Sequence, residues 1–259
     1  MRYFLKLSYN GSRFHGWQCQ PNAISVQGTL EEALSKVLRT PIQVTGAGRT
    51  DTGVHARIMY AHFNTEIPIS DTDRFLSSLN SLSGKDIAIK SLIEVSQEAH
   101  ARFDATERTY KYFVSFTKDP FLYPFCWKAS SRLDVHLMNK AAQLLYSCRD
   151  FTSFAKLHSD SKTNICDVRK AIWTPIKEDT AANDFIGDLN DGIVFTISAD
   201  RFLRNMVRAV VGTLVEIGRH KMTIGDFKNI IEAKNRCLAG TSMPANALFL
   251  WDIKYPYLS

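Results

Sequence analysis

The sequence has little that would indicate a disulfide framework, a metal centre or a membrane span. No stretch approaches the roughly 20 apolar residues that cross a bilayer. The N-terminal residues run directly into a strand pattern rather than a signal-peptide pattern. The cysteines are odd in number, widely scattered and without a Cys-x-x-Cys pair, which favours reduced thiols. They are Cys19, Cys126, Cys148, Cys166 and Cys237. We therefore expect a cytoplasmic protein with neither a membrane nor a metal among its partners.

Three common functional loops are also absent from the sequence. There is no Gly-Lys-Ser/Thr of a phosphate-binding loop and no three-glycine dinucleotide fingerprint. A single Asp-Thr-Gly is present, whereas the dyad of an aspartic protease needs two carboxylates. The sequence thus gives no support to these classes of enzyme.

The composition is that of a globular protein with a moderate excess of positive charge. The 259 residues are 45% apolar, enough for a sizeable core in one large domain or two compact halves. The formal net charge of +6 and the pI near 9.0 suit a polyanionic partner, although charge alone does not identify one.

Hydrophobic periodicity predicts a strand-helix-strand-strand-helix-strand order in the first part of the chain. Ser25 is the expected N-cap of the first helix, and Pro41 prevents its continuation. The elements are expected at residues 2–9, 26–38, 42–45, 58–65, 71–82 and 87–95. This order indicates a ferredoxin-like (RRM-like) unit, in which two helices cover one sheet face and the other face can receive RNA.

The second part of the chain repeats the alternation of strands and helices. Strands are expected at residues 110–114, 168–176, 193–199 and 248–255, and helices at 133–147, 202–218 and 224–234. Residues 179–192, with Asp184, Asp188 and Asp191, are expected to form an exposed loop. We predict an α+β protein with two ferredoxin-like α/β halves, residues 1–105 and 106–259, antiparallel sheets and a central catalytic cleft.

A glycine-rich loop at residues 46–56 is the most distinctive stretch. Its three glycines permit positive φ, and the hydroxyls of Thr50 and Thr52 flank the single carboxylate of Asp51. We expect Asp51 to be displayed rather than buried. An Asx turn ahead of Gly53 is the alternative interpretation.

Residues 48–56, Gly-Arg-Thr-Asp-Thr-Gly-Val-His-Ala, resemble the active-site motif of the TruA family of tRNA pseudouridine synthases. The resemblance implies that Asp51 is the nucleophile and that Arg49 fills the space left by a flipped nucleotide. It also implies that Thr50, Thr52 and His55 belong to the substrate-binding residues.

A second stretch, residues 108–112, is similar to the family's tyrosine motif. The resemblance implies that Tyr110, expected at the start of a strand, stacks on the target base and serves in proton transfer, tasks suited to its ring and its hydroxyl. Half-buried packing is the alternative for a tyrosine at this place. Arg108 and the preceding Arg102 are expected to bind substrate.

The third stretch, residues 201–212, is predicted to be helical, with Arg201, Arg204 and Arg208 along one edge. Such a row is either a solvated face or a set of phosphate contacts. Its Met-Val-Arg core resembles a further family motif, which implies that Arg208 forms an ion pair with the catalytic aspartate. Leu248 belongs to a last, shorter match and is expected near the substrate.

Smaller features agree with the resemblance or depart from it. Phe14 and Trp17 lie in a loop whose rings would either stack on bases or pack on the core. Cys19, Cys166 and Ala247 stand where the family commonly has Arg, Arg and Gly, so peripheral RNA contacts differ from the family's.

The resemblance implies cofactor-free isomerisation of uridine to pseudouridine at positions 38, 39 and 40 of the tRNA anticodon stem-loop, with base flipping, by a homodimer. Attack of Asp51 on the base, attack on the sugar, and proton abstraction through a glycal all remain open. A non-catalytic RNA-binding module is an alternative, but a displayed carboxylate would repel phosphates. A metal-dependent nuclease would need more acidic ligands than the one near residue 51.

Overall fold

The computed structural model describes residues 1–157, 162–187 and 191–258, which form a mixed α/β fold of two compact units. The first unit comprises Met1–Thr106 together with the C-terminal segment from Leu250, and the second comprises Glu107–Phe249. From the sequence, the boundary was instead expected at residue 105, with all of residues 106–259 assigned to the second half. The C-terminal segment belongs with the first unit because it supplies a strand to that unit's sheet.

The first unit is built on an antiparallel sheet with strand order β4-β1-β3, and β2 also pairs with β3. Its strands are β1 (Arg2–Tyr9), β2 (Thr45–Gly46), β3 (His55–Asn64) and β4 (Ile87–Val95), and its helices are α1 (Val26–Leu38) and α2 (Thr72–Leu82). Leu5 lies opposite Ala61 of β3 and Leu92 of β4 at the centre of the sheet. Phe4, Leu5 and Leu7 are buried.

The predicted ends of these elements rest on identifiable caps. The Ser25 hydroxyl accepts a hydrogen bond from the N–H of Gly28, which confirms it as the N-cap of α1. Helix α1 ends at Leu38 because Arg39 adopts a left-handed conformation with φ of 56°. Asp71 caps α2 in the same way as Ser25 caps α1, by accepting from the N–H of Arg74.

The second unit contains the antiparallel strand order β5-β8-β7. Its strands are β5 (Glu107–Ser115), β6 (Trp127–Lys128), β7 (Val168–Pro175) and β8 (Gly192–Ala199). Its helices are α3 (Val135–Ala142), α4 (Thr180–Ile186), α5 (Met206–Gly218) and α6 (Ile224–Ala233). Strand β6 pairs in parallel with β5, so the prediction of purely antiparallel sheets is wrong at this edge.

Helix α5 is the most deeply buried helix of the second unit. Every residue of α5 except Arg208 and Glu216 is buried. The last strand, β9 (Leu248–Lys254), begins at the end of the second unit, and its residues from Leu250 lie in the first unit, where β9 neighbours β3. A strand was predicted there at residues 248–255.

Two predictions about the second unit are wrong. Residues 179–192 are not simply a loop, because α4 forms there with Asp179 as its N-cap and Phe185 packed against the ring of Phe113. Asp188, which was expected in that loop, lies outside the described residues. The helix predicted from residue 202 begins only at Met206, because Asn205 has a left-handed φ of 66°.

Within the residues that the structure describes, no helix is both long enough and apolar enough to cross a bilayer.

Candidate active site

The loop that carries Asp51 lies in the first unit, directly before β3. Asp51 is partly exposed, and its carbonyl accepts a hydrogen bond from the N–H of Val54 in a tight turn. Of the loop's glycines, Gly53 takes a positive φ, 79°. Gly46 is needed for another reason, since a Cβ there would lie 2.4 Å from the Trp17 ring, and a Cβ on Gly48 would meet nothing within 4 Å. The expectation of positive φ is therefore met at Gly53 and not at Gly46 or Gly48.

Thr50 ties the loop to the end of β1 and to the segment that follows β1. Its Oγ1 lies 2.9 Å from the hydroxyl of Tyr9, and its carbonyl accepts from the N–H of Trp17 at 3.3 Å. Gly16 has φ of 89°, and a Cβ on it would lie 2.3 Å from the carbonyl oxygen of Thr50. These contacts fix the backbone on the N-terminal side of Asp51, which is partly exposed.

The rings of this supporting segment face the core. Phe14 and Trp17 are buried, which favours core packing over stacking on bases. His55 is also buried, and its Nδ1 accepts a hydrogen bond from the N–H of Gly11 at 3.0 Å. Its burial favours a structural role, and contact with substrate stays a prediction for this residue.

The side chains on either side of Asp51 differ in exposure. Arg49 and Thr52 are exposed, whereas Thr50 is half-buried. The exposed Arg49 lies two residues before the partly exposed carboxylate of Asp51, on the same loop. The structure thus brings Arg49, Thr50, Asp51 and Thr52 together on one surface loop.

Tyr110 lies in the second unit, inside β5 rather than at its start. The strand begins three residues earlier, at Glu107, because Arg108 and Thr109 already pair with Ala199 and Ser198 of β8. Tyr110 is partly exposed, and its ring makes an edge-to-face contact with Phe202 at 5.0 Å between centroids.

The other tyrosine of this motif, Tyr112, has different surroundings. Its ring is fully buried and its hydroxyl donates to the carbonyl of Pro244 at 3.1 Å. Burial raises the pKa of Tyr112 far above its usual value. Of the two tyrosines, Tyr110 is therefore the one that can meet a substrate.

Arg208 is one of the two residues of α5 that are not buried, and its side chain is oriented by the chain that precedes β9. Its Nε donates to the carbonyl of Met243 at 2.6 Å, and its own carbonyl accepts from the N–H of Met243 at 3.1 Å. The reciprocal pair fixes both the backbone and the guanidinium. Arg208 is thus held in one direction at the first turns of α5.

Arg201 and Arg204 do not share a helix edge with Arg208, contrary to the prediction, because α5 starts after them. The N–H of Arg201 donates to Oδ1 of Asp200 at 2.8 Å, and Nη1 of Arg108 donates to the carbonyl of Asp200, also at 2.8 Å. Arg201 is half-buried, and Arg204 is exposed. The structure brings Arg108 and Arg201 together around Asp200 at the end of β8.

Two predicted substrate-binding residues stand apart from these groups. Arg102 is exposed on the loop between β4 and β5 in the first unit. Leu248 is buried at the start of β9, which favours packing over contact with a substrate.

A family model described as "tRNA pseudouridine synthase" matches residues 7–104 and 141–256. The chain belongs to the tRNA pseudouridine synthase family. The matched stretches contain the Asp51 loop and Arg208, whereas Tyr110 lies between them.

Full-length relatives agree with this membership of the pseudouridine synthase family. The chain is 54% identical over 255 residues to the tRNA pseudouridine synthase A of Parabacteroides distasonis, covering 98% of this chain and 96% of the relative. It is 51% identical to that of Bacteroides fragilis, with the same coverage. It is 38% identical over 259 residues to that of Treponema denticola, covering 97% of this chain and 92% of the relative.

Sequence reasoning missed two contacts that hold predicted site residues of this member of the pseudouridine synthase family in place. The hydroxyl of Tyr9 contacts Thr50 across 41 positions of sequence, and the carbonyl of Met243 contacts Arg208 across 35. Tyr9 is the last residue of β1 and begins the stretch Tyr9-Asn10-Gly11, which also resembles the family and could have singled it out. No signal in the sequence identifies a backbone carbonyl as the partner of an arginine.

Among the residues of the described ranges, no three His, Cys, Asp or Glu side chains are placed so that they could hold a metal ion.

Proposed function

We propose that this chain isomerises uridine to pseudouridine in the anticodon stem-loop of tRNA, at positions 38, 39 and 40. The observation that carries the proposal is the partly exposed Asp51, held through Thr50 on a loop with the family's motif, in a chain that belongs to the tRNA pseudouridine synthases. Its relatives at 54% and 51% identity are named tRNA pseudouridine synthase A. The reaction changes no oxidation state and needs no cofactor.

Asp51 acts as the nucleophile in this proposal. The N-glycosidic bond of uridine breaks, the uracil rotates, and a new bond forms between C1′ of the ribose and C5 of the base. The carboxylate of Asp51 attacks the ribosyl-uracil unit, either at the base or at the sugar, or it removes a sugar proton on a path through a glycal. The partial exposure of Asp51 and the fixed backbone before it support this role, because a preorganised group loses little freedom on reaching the reacting atoms.

Three further side chains have assigned roles in this proposal. The target base lies inside a stack and must be flipped out to react. Arg49, exposed on the same loop, fills the space that the base leaves. Tyr110 stacks on the flipped base and moves a proton with its hydroxyl, and Arg208 acts as a further catalytic residue. The fixed direction of Arg208 supports the last assignment, since its Nε is already committed to Met243.

We also infer that each unit is a variant of the ferredoxin-like fold, that the chain has a central catalytic cleft, and that two copies of the chain act as a homodimer. The ferredoxin-like fold is supported in the first unit by the strand order β4-β1-β3, with β2 beside β3 and with α1 and α2 as connections. Light scattering tests the homodimer, because a dimer would have about twice the 29.3 kDa of one chain.

The proposed reaction is tested by digesting treated tRNA to nucleosides and separating them by chromatography. Wild-type protein is expected to form pseudouridine at positions 38–40, and Asp51→Asn, which keeps the shape of the side chain, is expected to bind tRNA and form none. Asp73→Asn is the matched control, because Asp73 is an exposed carboxylate in the first turn of α2.

The possible outcomes distinguish a failure of the proposed activity from a failure of the role assigned to Asp51. Tight tRNA binding by wild-type protein without any pseudouridine would favour the non-catalytic RNA-binding module. Appreciable turnover by Asp51→Asn would leave the function standing and remove Asp51 as the nucleophile.

A further inference from the structure

The loop between β4 and β5 presents an aromatic ring to solvent. Phe103 is 74% exposed at its tip, next to Arg102. Single exposed apolar side chains are common on protein surfaces and indicate nothing alone. What distinguishes Phe103 is the construction of the loop beneath it.

Hydrogen bonds within the loop fix its backbone. Nδ1 of His100 accepts from the N–H groups of Arg102 and Phe103, at 3.1 and 3.3 Å. Oδ2 of Asp104 accepts from the N–H of His100 and from the hydroxyl of Tyr257, both at 2.7 Å. These hydrogen bonds join the residues before Phe103 to the residue after it.

The base of the loop is anchored in the first unit. The N–H of Ala101 donates to Nδ1 of the buried His62 at 3.1 Å, and the carbonyl of Ala101 accepts from the hydroxyl of Tyr255 at 2.5 Å. Arg2 donates to the carbonyl of Ala99 at 2.9 Å. A ring held on so rigid a base loses little conformational entropy when a ligand covers it.

Two side chains frame the exposed ring. The His100 ring lies 4.3 Å from the Phe103 ring, measured between centroids, with 33° between the planes. The guanidinium carbon of Arg102 lies 5.6 Å from the centre of the Phe103 ring, in cation–π distance. His100, Arg102 and Phe103 together form what we call the aromatic platform, an exposed phenyl ring with an imidazole and a guanidinium as close neighbours.

We propose that the aromatic platform stacks on an unpaired nucleobase of the RNA substrate. The proposal rests on the proposed function, which supplies an RNA with unpaired loop bases. Every nucleobase has a π-face, and an aromatic ring with an adjacent guanidinium suits that face and the phosphate attached to it. A protein partner would also cover a phenylalanine, but the cation beside the ring and the chain's net charge of +6 favour a polyanion.

The experiment is a double-mutant cycle between the protein and the RNA. Equilibrium binding is measured for wild type and Phe103→Ala with an anticodon stem-loop RNA, intact or with an abasic nucleotide at one loop position at a time. Phe103→Ala is expected to weaken binding of intact RNA by about 5- to 150-fold, the range for loss of one stacked base. At one loop position, the RNA that lacks the base is expected to bind wild type and Phe103→Ala equally well, because the stacking contact is already lost.

Two further variants sharpen the cycle. Phe103→Tyr keeps an aromatic face and is expected to bind like wild type, whereas Phe103→Leu keeps apolar bulk without that face and is expected to resemble Phe103→Ala. Phe121→Ala is the matched control, since Phe121 is an 86% exposed phenylalanine in the second unit. Circular dichroism confirms that each variant is folded.

Effects of Phe103→Ala that simply add to those of the abasic nucleotide at every position would overturn the proposal, as would unchanged binding of intact RNA. If light scattering shows that Phe103→Ala changes the mass of the particle and leaves RNA binding intact, the ring serves a second copy of the chain instead. Pseudouridine formation by wild type on the same RNA separates the two proposals. If wild type forms no pseudouridine, the proposed function is contradicted. If wild type is active but the effects of Phe103→Ala and the abasic nucleotide simply add, only the role of the aromatic platform is contradicted.

Discussion

Two tyrosines of β5 lie two residues apart and differ in what they can do. Tyr110 is partly exposed beside Phe202, whereas the buried Tyr112 donates its hydroxyl to Pro244. Tyr110→Phe retains the ring and its contact with Phe202 and loses the hydroxyl. If that hydroxyl moves a proton, single-turnover rates should fall by about 10²- to 10⁴-fold with little change in the Kd for tRNA.

The neighbouring tyrosine provides the control for this residue. Tyr112→Phe removes one buried hydrogen bond and should lower the free energy of unfolding by about 1 kcal/mol while leaving turnover near that of wild type. Rapid quench with a tRNA labelled at the target uridine gives the rates, and chemical denaturation gives the stabilities. Wild-type turnover in Tyr110→Phe would leave Tyr110 with stacking alone.

At the scale of elements, the sequence predicted what local periodicity determines. Strand β1 was predicted with its observed ends and helix α1 with its observed start, because alternation and an N-cap are local signals. The start of α5 was placed four residues too early, since the left-handed conformation of Asn205 interrupts an apolar pattern that continues through it. The Asp51 loop could be identified from its motif. Its attachment to Tyr9 could not, because that contact joins positions 41 apart.

Helix α5 passes very close to the chain that orients Arg208. A Cβ on Gly212 would lie 1.9 Å from the carbonyl oxygen of Thr241, so Gly212→Ala must push that segment away. We expect a loss of about 1–3 kcal/mol or more in the free energy of unfolding. Turnover should fall as well, since Met243 follows Thr241 closely and holds Arg208.

Another helical glycine gives the matched comparison for α5. A Cβ on Gly225 of α6 would meet only the hydroxyl of Thr223, at 3.6 Å, so Gly225→Ala should be neutral or stabilise by up to about 1 kcal/mol. Urea unfolding of both variants measures the difference. Equal stabilities for the two variants would mean that the contact between α5 and Thr241 relaxes without cost.

Two histidines, His62 of β3 and His100 of the loop between β4 and β5, make the first unit sensitive to acid. Burial, with a smaller contribution from Arg2, lowers the pKa of His62 to about 4. The unfolded chain binds a proton at this histidine near pH 6.5, whereas the folded chain does so only near pH 4. The contribution of His62 to the free energy of unfolding is therefore fully present above about pH 6.5. It is lost as the pH falls toward about 4, by up to about 3 kcal/mol. Burial also lowers the pKa of His100, which acts in the same direction.

Urea unfolding at pH values from 7.5 to 4.5 measures this acid sensitivity. His62→Asn removes the titrating ring and keeps an acceptor for the N–H of Ala101, so its stability should vary less with pH than that of wild type. His136→Asn, at an exposed position of α3, is the control and should follow the wild-type curve. Parallel curves for wild type and His62→Asn would show that His62 is not the source of the acid sensitivity.

At the scale of the whole molecule, the net charge of +6 must be distinguished from the positions of individual cations. Long-range attraction of tRNA depends on the sum of the charges, whereas contact with a phosphate depends on one side chain in the right place. Two cations with different surroundings separate the effects. Lys36 of α1 is paired with Glu32 at 2.6 Å, and Arg204 is exposed next to the start of α5, in the unit that carries Tyr110 and Arg208.

The last prediction compares Arg204→Gln with Lys36→Gln, which change the net charge by the same amount. Counterion release makes the logarithm of the binding constant fall linearly with the logarithm of salt concentration, by about 0.7 to 0.9 for each phosphate contacted. Arg204→Gln should make the slope for tRNA shallower by about that amount, because it removes a contact. Lys36→Gln should leave the slope close to that of wild type, since Lys36 is already paired with Glu32. Fluorescence titrations of labelled tRNA at four or more salt concentrations give the slopes. Equal shifts in both variants would mean that Arg204 contributes only to the overall charge, and a wild-type slope near zero would remove phosphate contacts from the description of tRNA binding altogether.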